Sequence, residues 1–373
     1  MKKILFILGT RPEVIKLAPL VLVFKQYNNI YKVTICNTEQ QKELSNQTLN
    51  FFELKADITL NIMTKNQELI TLQERLLSKM RNVILSGKFD AVIVQGDTMT
   101  AFCGALAGFY NKIPVFHVEA GLRSYNMHEP FPEEALRQMI SRIAFIHFAP
   151  TNQSKQALLQ EGIDENKIII SGNTVIDALF YLSDTALTKS LVYLKKYNIN
   201  IDDKLVLITV HRRENHGDRL KNIIEAIKKL AYKFQNHKFV IPVHPNPNVK
   251  YLIQTALNSF ENIILLPTLD YPILVTIMKH AKLILTDSGG IQEEAPTFGV
   301  PILVMRYETE RKEGVEAGFA KLIGTECETI VAQSALILEK NKTTTNKNIK
   351  NPYGDGNASK IIEQTIRKKL YEE

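Results

Sequence analysis

The sequence has no tryptophan, three cysteines among 373 residues and no apolar run longer than a β-strand requires. Each shortage excludes something. Runs such as "ILFIL" and "LVLIT" fall far short of the roughly 20 residues that span a bilayer, so no membrane segment is expected. Cys36, Cys103 and Cys327 stand far apart with no C-x-x-C pair. That argues against a structural zinc site and for free thiols in a reducing compartment. No G-x-G-x-x-G follows any strand-like run, so a nicotinamide cofactor is not expected. The net charge of +7 suits an anionic partner, yet the lysines are scattered over helices rather than gathered in a stripe with aromatics between them. Nucleic acid is therefore not an expected partner. The opening "MKKILFILGT" imitates a signal peptide, but its apolar stretch is short and runs into "RPEVIK" where a cleavage site should be. It reads as the first strand of a cytoplasmic protein.

What is present is alternation. The runs "KILFIL", "AVIVQ", "PVFHV", "IIISG", "KLVLITV", "FVIPV", "IILL" and "KLILT" alternate with longer stretches of helical period such as "RLKNIIEAIKKLAYKF". Strands that are apolar without interruption are buried on both faces, as in a parallel sheet. The expected fold class is α/β, with two Rossmann-like doubly wound domains facing a cleft. The rhythm changes between about Ser171 and Lys204 and begins afresh at "KLVLITVHRREN". Residues 1–170 with a C-terminal helix at 357–373 are expected to form one domain, and 171–356 the other.

Unusual residue types fall just after strands, where ligands of open α/β sheets bind. In "GTRPEVIK" Gly9 makes the turn and Pro12 suits the first helical position. Arg11 and Lys16 would join the free N–H groups of the helix start to favour a phosphate, or else be two solvated cations on a plain turn. Asp97 follows "AVIVQ", with Thr98 or Thr100 placed to cap the next helix; a capping aspartate is the plainer alternative. Glu119 ends "PVFHV", and a charge at the end of a buried strand is costly unless paired or used. Glu133 and Glu134 open a helix behind two prolines and share it with Arg137. "ITVHRREN" puts His211 beside Arg212 and Arg213, and "PVHPNPNV" repeats the placement with His244. In "LTDSGGIQEEA", Asp287 and Ser288 turn, and the N–H groups from Ser288 to Gly290 are placed to hold a diphosphate. Glu294, one turn deeper, suits ribose hydroxyls. "MRYETER" adds Arg306, Glu308 and Arg311. A site that offers both donors and acceptors fits a nucleoside diphosphate.

Read in order, "GTRPEVIK", "GDTMT", "HVEAGLRS", "PFPEE", "SGNTVID", "HRREN", "DSGGIQEEAPTFGVP", "ETER" and "NPYGDGNASKII" resemble the non-hydrolysing UDP-N-acetylglucosamine 2-epimerases over nearly the whole chain. The resemblance implies a glycosyltransferase-B-like fold, a homodimer, a UDP-sugar substrate and chemistry without metal or cofactor. It places Asp97, Glu119, Glu133 and His211 at catalytic positions. Arg11, Lys16, Ser288, Gly289, Gly290, Glu294 and Arg311 fall at substrate-binding positions. It also implies a second, activating UDP-sugar site, for which Gln40, Gln41 and His244 are the candidates. The chain departs from the family where Leu269 and Leu274 stand beside the expected base, where Gln40–Gln41 replaces a Gln-His pair, and where Asn66 replaces an arginine.

Overall fold

Strands that are apolar on both faces need cover on both faces, and the chain meets that need twice. The computed structural model describes residues 1–64, 67–182, 184–243, 246–340 and 350–371. It divides into two compact units, Met1–Tyr181 with Tyr353–Glu373, and Leu182–Pro352.

The first unit runs β1 (Lys2–Leu8), α1 (Arg11–Gln26), β2 (Tyr31–Asn37), α2 (Lys42–Phe51), β3 (Ile58–Thr59), α3 (Leu69–Gly87) and β4 (Ala91–Gln95). It continues with α4 (Met99–Tyr110), β5 (Val115–Val118), α5 (Glu133–Ile143), β6 (Ile146–Ala149), α6 (Asn152–Gln160), β7 (Ile168–Ile170) and α7 (Thr174–Phe180). Its seven strands lie in the order β3-β2-β1-β4-β5-β6-β7, and each described pairing is parallel. Leu5 and Ile7 of β1 and Val92 and Val94 of β4 pack with Leu76 and Met80 of α3 and Ala101 and Ala105 of α4 in one core. The apolar-run criterion passes over β2 and β6, where Lys32, Thr34 and His147 interrupt the pattern. Pairing along both edges supplies what their own sequence does not advertise.

The second unit runs α8 (Asp184–Lys195), β8 (Lys204–Thr209), α9 (Asp218–Lys233), β9 (His237–Pro242), α10 (Pro247–Leu257), β10 (Ile263–Leu266) and α11 (Tyr271–His280). After it come β11 (Ala281–Thr286), α12 (Gly289–Glu294), β12 (Ile302–Val304), α13 (Lys312–Glu316), β13 (Ala320–Leu322) and α14 (Cys327–Leu338). The strand order is β10-β9-β8-β11-β12-β13, again parallel throughout the described pairs. Val206 and Ile208 pack with Ile223, Ile227 and Leu230 of α9.

The last helix, α15 (Ala358–Tyr371), belongs to the first unit and packs on α1 and α7. Asn173 caps α7 through its side chain (3.1 Å to the Val175 amide), and its own amide donates to the Tyr353 carbonyl at 2.7 Å. Asp177 of α7 accepts the first two amides of α15, Ala358 at 3.3 Å and Ser359 at 2.7 Å. In both sheets the strand order reverses once, between β1 and β4 and between β8 and β11. These are the switch points where a crevice opens at the carboxyl ends of the strands.

Candidate functional site

At the first switch point the chain leaves β1 through Gly9 and Thr10. A Cβ on Gly9 would lie 1.9 Å from Thr38 Oγ1, so only glycine fits there. Glu13 reaches back from the first turn of α1 and accepts hydrogen bonds from the amides of Gly9 (3.1 Å) and Thr10 (2.8 Å) and from the Thr10 hydroxyl (2.8 Å). Its other oxygen accepts from the Thr98 hydroxyl at 2.7 Å. The same Thr98 caps α4 by accepting the Ala101 amide at 3.0 Å. Glu13 therefore ties the turn after β1 to the turn after β4. It is fully buried, and burial pushes its carboxyl up to about 7 although the Thr98, Thr10 and Gly9 donors act the other way.

Glu119 follows β5 with a left-handed φ of 63°, a conformation unusual for a side chain of its size. The residue is buried. Lys16 donates to one carboxylate oxygen and Gln95, the last residue of β4, to the other. Asn173 Nδ2 stands 3.4 Å from the first. Asp97, half-buried, is paired with Arg137 of α5. Arg137 also lies 3.4 Å from Glu134, whose carboxylate accepts the amides of Ser124 (2.9 Å) and Tyr125 (3.2 Å). Of the two adjacent glutamates, Glu134 is thus engaged in holding the loop before α5, and Glu133 is half-buried at the helix start. Beneath them His117 is fully buried, and its Nε2 lies 2.7 Å from the Gly96 carbonyl. Burial lowers it to about 4 despite that bond, so it is neutral at physiological pH.

The structure brings the loop after β2 to the same turn. The Gln41 side chain accepts the Arg11 amide at 3.0 Å, and the Gln41 amide donates to the Gly9 carbonyl at 2.7 Å. Gln40 accepts from the Thr100 hydroxyl at 2.9 Å. The Arg11 amide, expected among the groups offered to a phosphate, is thus engaged by Gln41. His244 and Asn66 lie outside the described residues.

At the second switch point, Thr209 and Thr286 join the ends of β8 and β11 through a 2.6 Å hydroxyl contact. Asp287, fully buried, accepts the amides of His211 and Arg212 and the side-chain nitrogens of Asn215 and His211. Sequence reading takes Asp287 for a turn residue; its four donors lie 72 to 76 positions away, beyond the reach of any local pattern. The Ser288 amide donates to Thr286 Oγ1 at 2.9 Å. This corrects the expectation that three consecutive amides are offered to an anion, because the first is turned back on the strand. Arg311 packs over the glycine pair: a Cβ on Gly289 would lie 2.8 Å from Arg311 Cζ, and one on Gly290 3.7 Å from Glu294 Oε1. Arg311 is held by Glu293 at 3.0 Å and by Glu310. Arg306 bridges Glu214 (2.5 Å) and Glu310 (3.0 Å), with Arg212 3.6 Å from Glu310. Burial works to raise the Glu310 carboxyl, but the Arg311, Arg306 and Arg212 charges outweigh it and hold it well below the usual carboxylate range. Glu310, not the exposed Glu308, is the acidic centre of this loop.

Two parallel α/β sheets that share one order over their first six strands, with charged groups and bare-backbone turns at their switch points, define a glycosyltransferase-B-like fold. The chain belongs to the UDP-N-acetylglucosamine 2-epimerase family, whose sequence model matches residues 25–367. A UDP-N-acetylglucosamine 2-epimerase of Neisseria meningitidis is 46% identical over 371 residues, which cover 98% of this chain and 99% of that protein. One from Campylobacter jejuni is 45% identical over 377 residues, covering 99% and 98%. The crystal structure of UDP-GlcNAc 2-epimerase from Neisseria meningitidis bound to UDP-GlcNAc matches with a TM-score of 0.93 at 46% identity, over 98% of this chain and 100% of that one. A glycotransferase of kitacinnamycin, 9% identical with a TM-score of 0.64, shares the fold alone.

Proposed function

We propose that the protein interconverts UDP-N-acetylglucosamine and UDP-N-acetylmannosamine without hydrolysing either. The observation that carries this reading is Glu119, a buried carboxylate on a left-handed residue at the carboxyl end of β5, paired with Lys16. The bound UDP-GlcNAc of the Neisseria meningitidis structure supports a UDP-sugar as substrate.

C2 of the sugar has no neighbouring ketone, so its C–H is not acidic enough for simple proton exchange. The route is elimination. A base takes the C2 proton, a C1–C2 double bond forms, and the C1–O bond breaks with its electrons going to the diphosphate, which leaves UDP and 2-acetamidoglucal. Re-addition forms the C1–O bond again while a proton reaches the opposite face of C2. Groups on two faces are needed, and Asp97, Glu119 and Glu133 share that work. Arg11, His211, Arg311 and the Gly289–Gly290 turn stabilise the departing diphosphate, with the Ser288 hydroxyl beside them. Lys16 contributes from its pair with Glu119, and Glu294 accepts from the ribose. The route needs neither metal nor hydride carrier.

Gln40 and Gln41, the candidates for a second, activating UDP-sugar, are engaged by Thr100 and by the turn that carries Arg11, and their departure from the family's Gln-His pair argues against activation. The family resemblance supports a cytoplasmic homodimer that supplies a surface-polysaccharide precursor. Proton NMR with UDP-N-acetylglucosamine in D₂O tests the reaction. The expected result is deuterium at C2, UDP-N-acetylmannosamine in the products and UDP only in trace. Glu119→Gln should abolish exchange while UDP still binds. Stoichiometric UDP with free sugar would move the protein to the hydrolysing reaction, and binding without exchange would end the epimerase reading.

A further inference from the structure

Asp287 sits at the end of β11 with its carboxylate among N–H donors. The His211 amide lies 3.0 Å from one oxygen and 3.2 Å from the other, the Arg212 amide 2.9 Å away and Asn215 Nδ2 3.0 Å away. Asn215 is itself anchored on the Met305 carbonyl at 3.2 Å. The remaining partner is the His211 ring, whose Nδ1 stands 3.0 Å from Asp287 Oδ1. Burial works to raise this carboxyl, but the His211 side chain and the two amides outweigh it and hold it below its ordinary value. It remains an ionised acceptor. An ionised carboxylate cannot donate, so the ring nitrogen facing it must carry the proton. Asp287 is fully buried, whereas the His211 side chain is 38% exposed, so the far side of the ring is the accessible one.

We infer that Asp287 is a positioning residue for His211: it holds the imidazole through Nδ1–H and turns Nε2 toward the diphosphate, where a second proton on the ring makes Nε2–H a donor to the anion. The backbone amides of His211 and Arg212 close on the same carboxylate, so the backbone and the ring of His211 are held by one group. Any rotation of the ring breaks a bond to a buried charge, which is the expensive kind to lose. The kinetic part of the inference rests on the epimerase reading; the tautomer does not.

The test uses the full-length protein labelled with ¹⁵N-histidine, with the His211 signals identified by their loss in His211→Asn. Unliganded wild type should show His211 protonated on Nδ1; a ring protonated on Nε2 alone overturns the inference. Asp287→Asn places an amide NH₂ among N–H donors. It should abolish the Nδ1–H preference and lower kcat by about tenfold or more, while the Kd for UDP stays within about threefold. A folded Asp287→Asn protein with an unchanged ring, or with kcat intact, overturns the inference equally. Should that variant not fold, the wild-type spectrum decides alone. A protein with the Nδ1–H ring but no C2 exchange would keep the positioning role and lose the epimerase reading.

Discussion

Glu13 shows how much one side chain can hold. Its folded-state carboxyl lies near 7 against an ordinary 4.5, because it is buried. The folded protein therefore keeps a proton that the unfolded chain has already released. Stability from this group is full below about 4.5 and is lost as pH rises through about 7, a change on the order of 3 kcal/mol. Glu13→Gln mimics the protonated form, with one acceptor for the Gly9 and Thr10 donors and one donor for Thr98. The difference in unfolding free energy between wild type and Glu13→Gln, from urea titrations at pH 5 and pH 8, should move toward the variant by that amount at the higher pH. An unchanged difference would mean that Glu13 does not titrate in this window. Residues of this sort were the least legible. Glu119 announced itself by standing at the end of an apolar run. Its partner Gln95 reads as the tail of a strand, Glu13 as one polar position of a helix, and Asp287 as a turn. Their meaning lies in partners 24, 85 and 76 positions away, and no window on the sequence spans such distances.

Elements were easier to read than their partnerships. The uninterrupted runs at β1, β4, β5 and β8 followed from burial on both faces, and the amphipathic spacing of α9 from burial on one. Strands interrupted by polar residues, β2 and β6, escape the apolar-run criterion because their identity comes from neighbours. The same holds for α7. "SGNTVID" signals a capped helix start, but nothing local shows that Asp177 will close on the amides of Ala358 and Ser359. That contact does for α15 what an N-cap does, with the carboxylate supplied from another helix. Asp177→Ala should cost about 1–2 kcal/mol of stability and speed amide hydrogen exchange in α15 while leaving α9 unchanged. Equal acceleration in both helices would indicate a general loss of stability and remove the capping role.

At the scale of the molecule, one plan is used twice: a parallel sheet whose strand order reverses once, with its charged residues at that reversal. No helix among the described residues is long and apolar enough to cross a membrane. Leu85 on α3, Phe109 on α4 and Met139 on α5 are exposed apolar side chains, and we propose them as contacts of the homodimer. Phe109→Glu combined with Met139→Glu should halve the mass measured by light scattering; a wild-type protein with the mass of one chain would end that proposal. The return of the chain to its first unit has a consequence in time. Synthesis runs from residue 1 onward, so the ribosome completes the whole second unit before it makes the piece that finishes the first. Until then the Tyr31 hydroxyl lacks Glu363, its partner at 2.9 Å in the finished protein, and Asp177 lacks the amides it caps. A chain halted before Tyr353 would carry a second sheet able to close beside a first unit with α1 and α7 uncovered, a form that chaperones and proteases recognise.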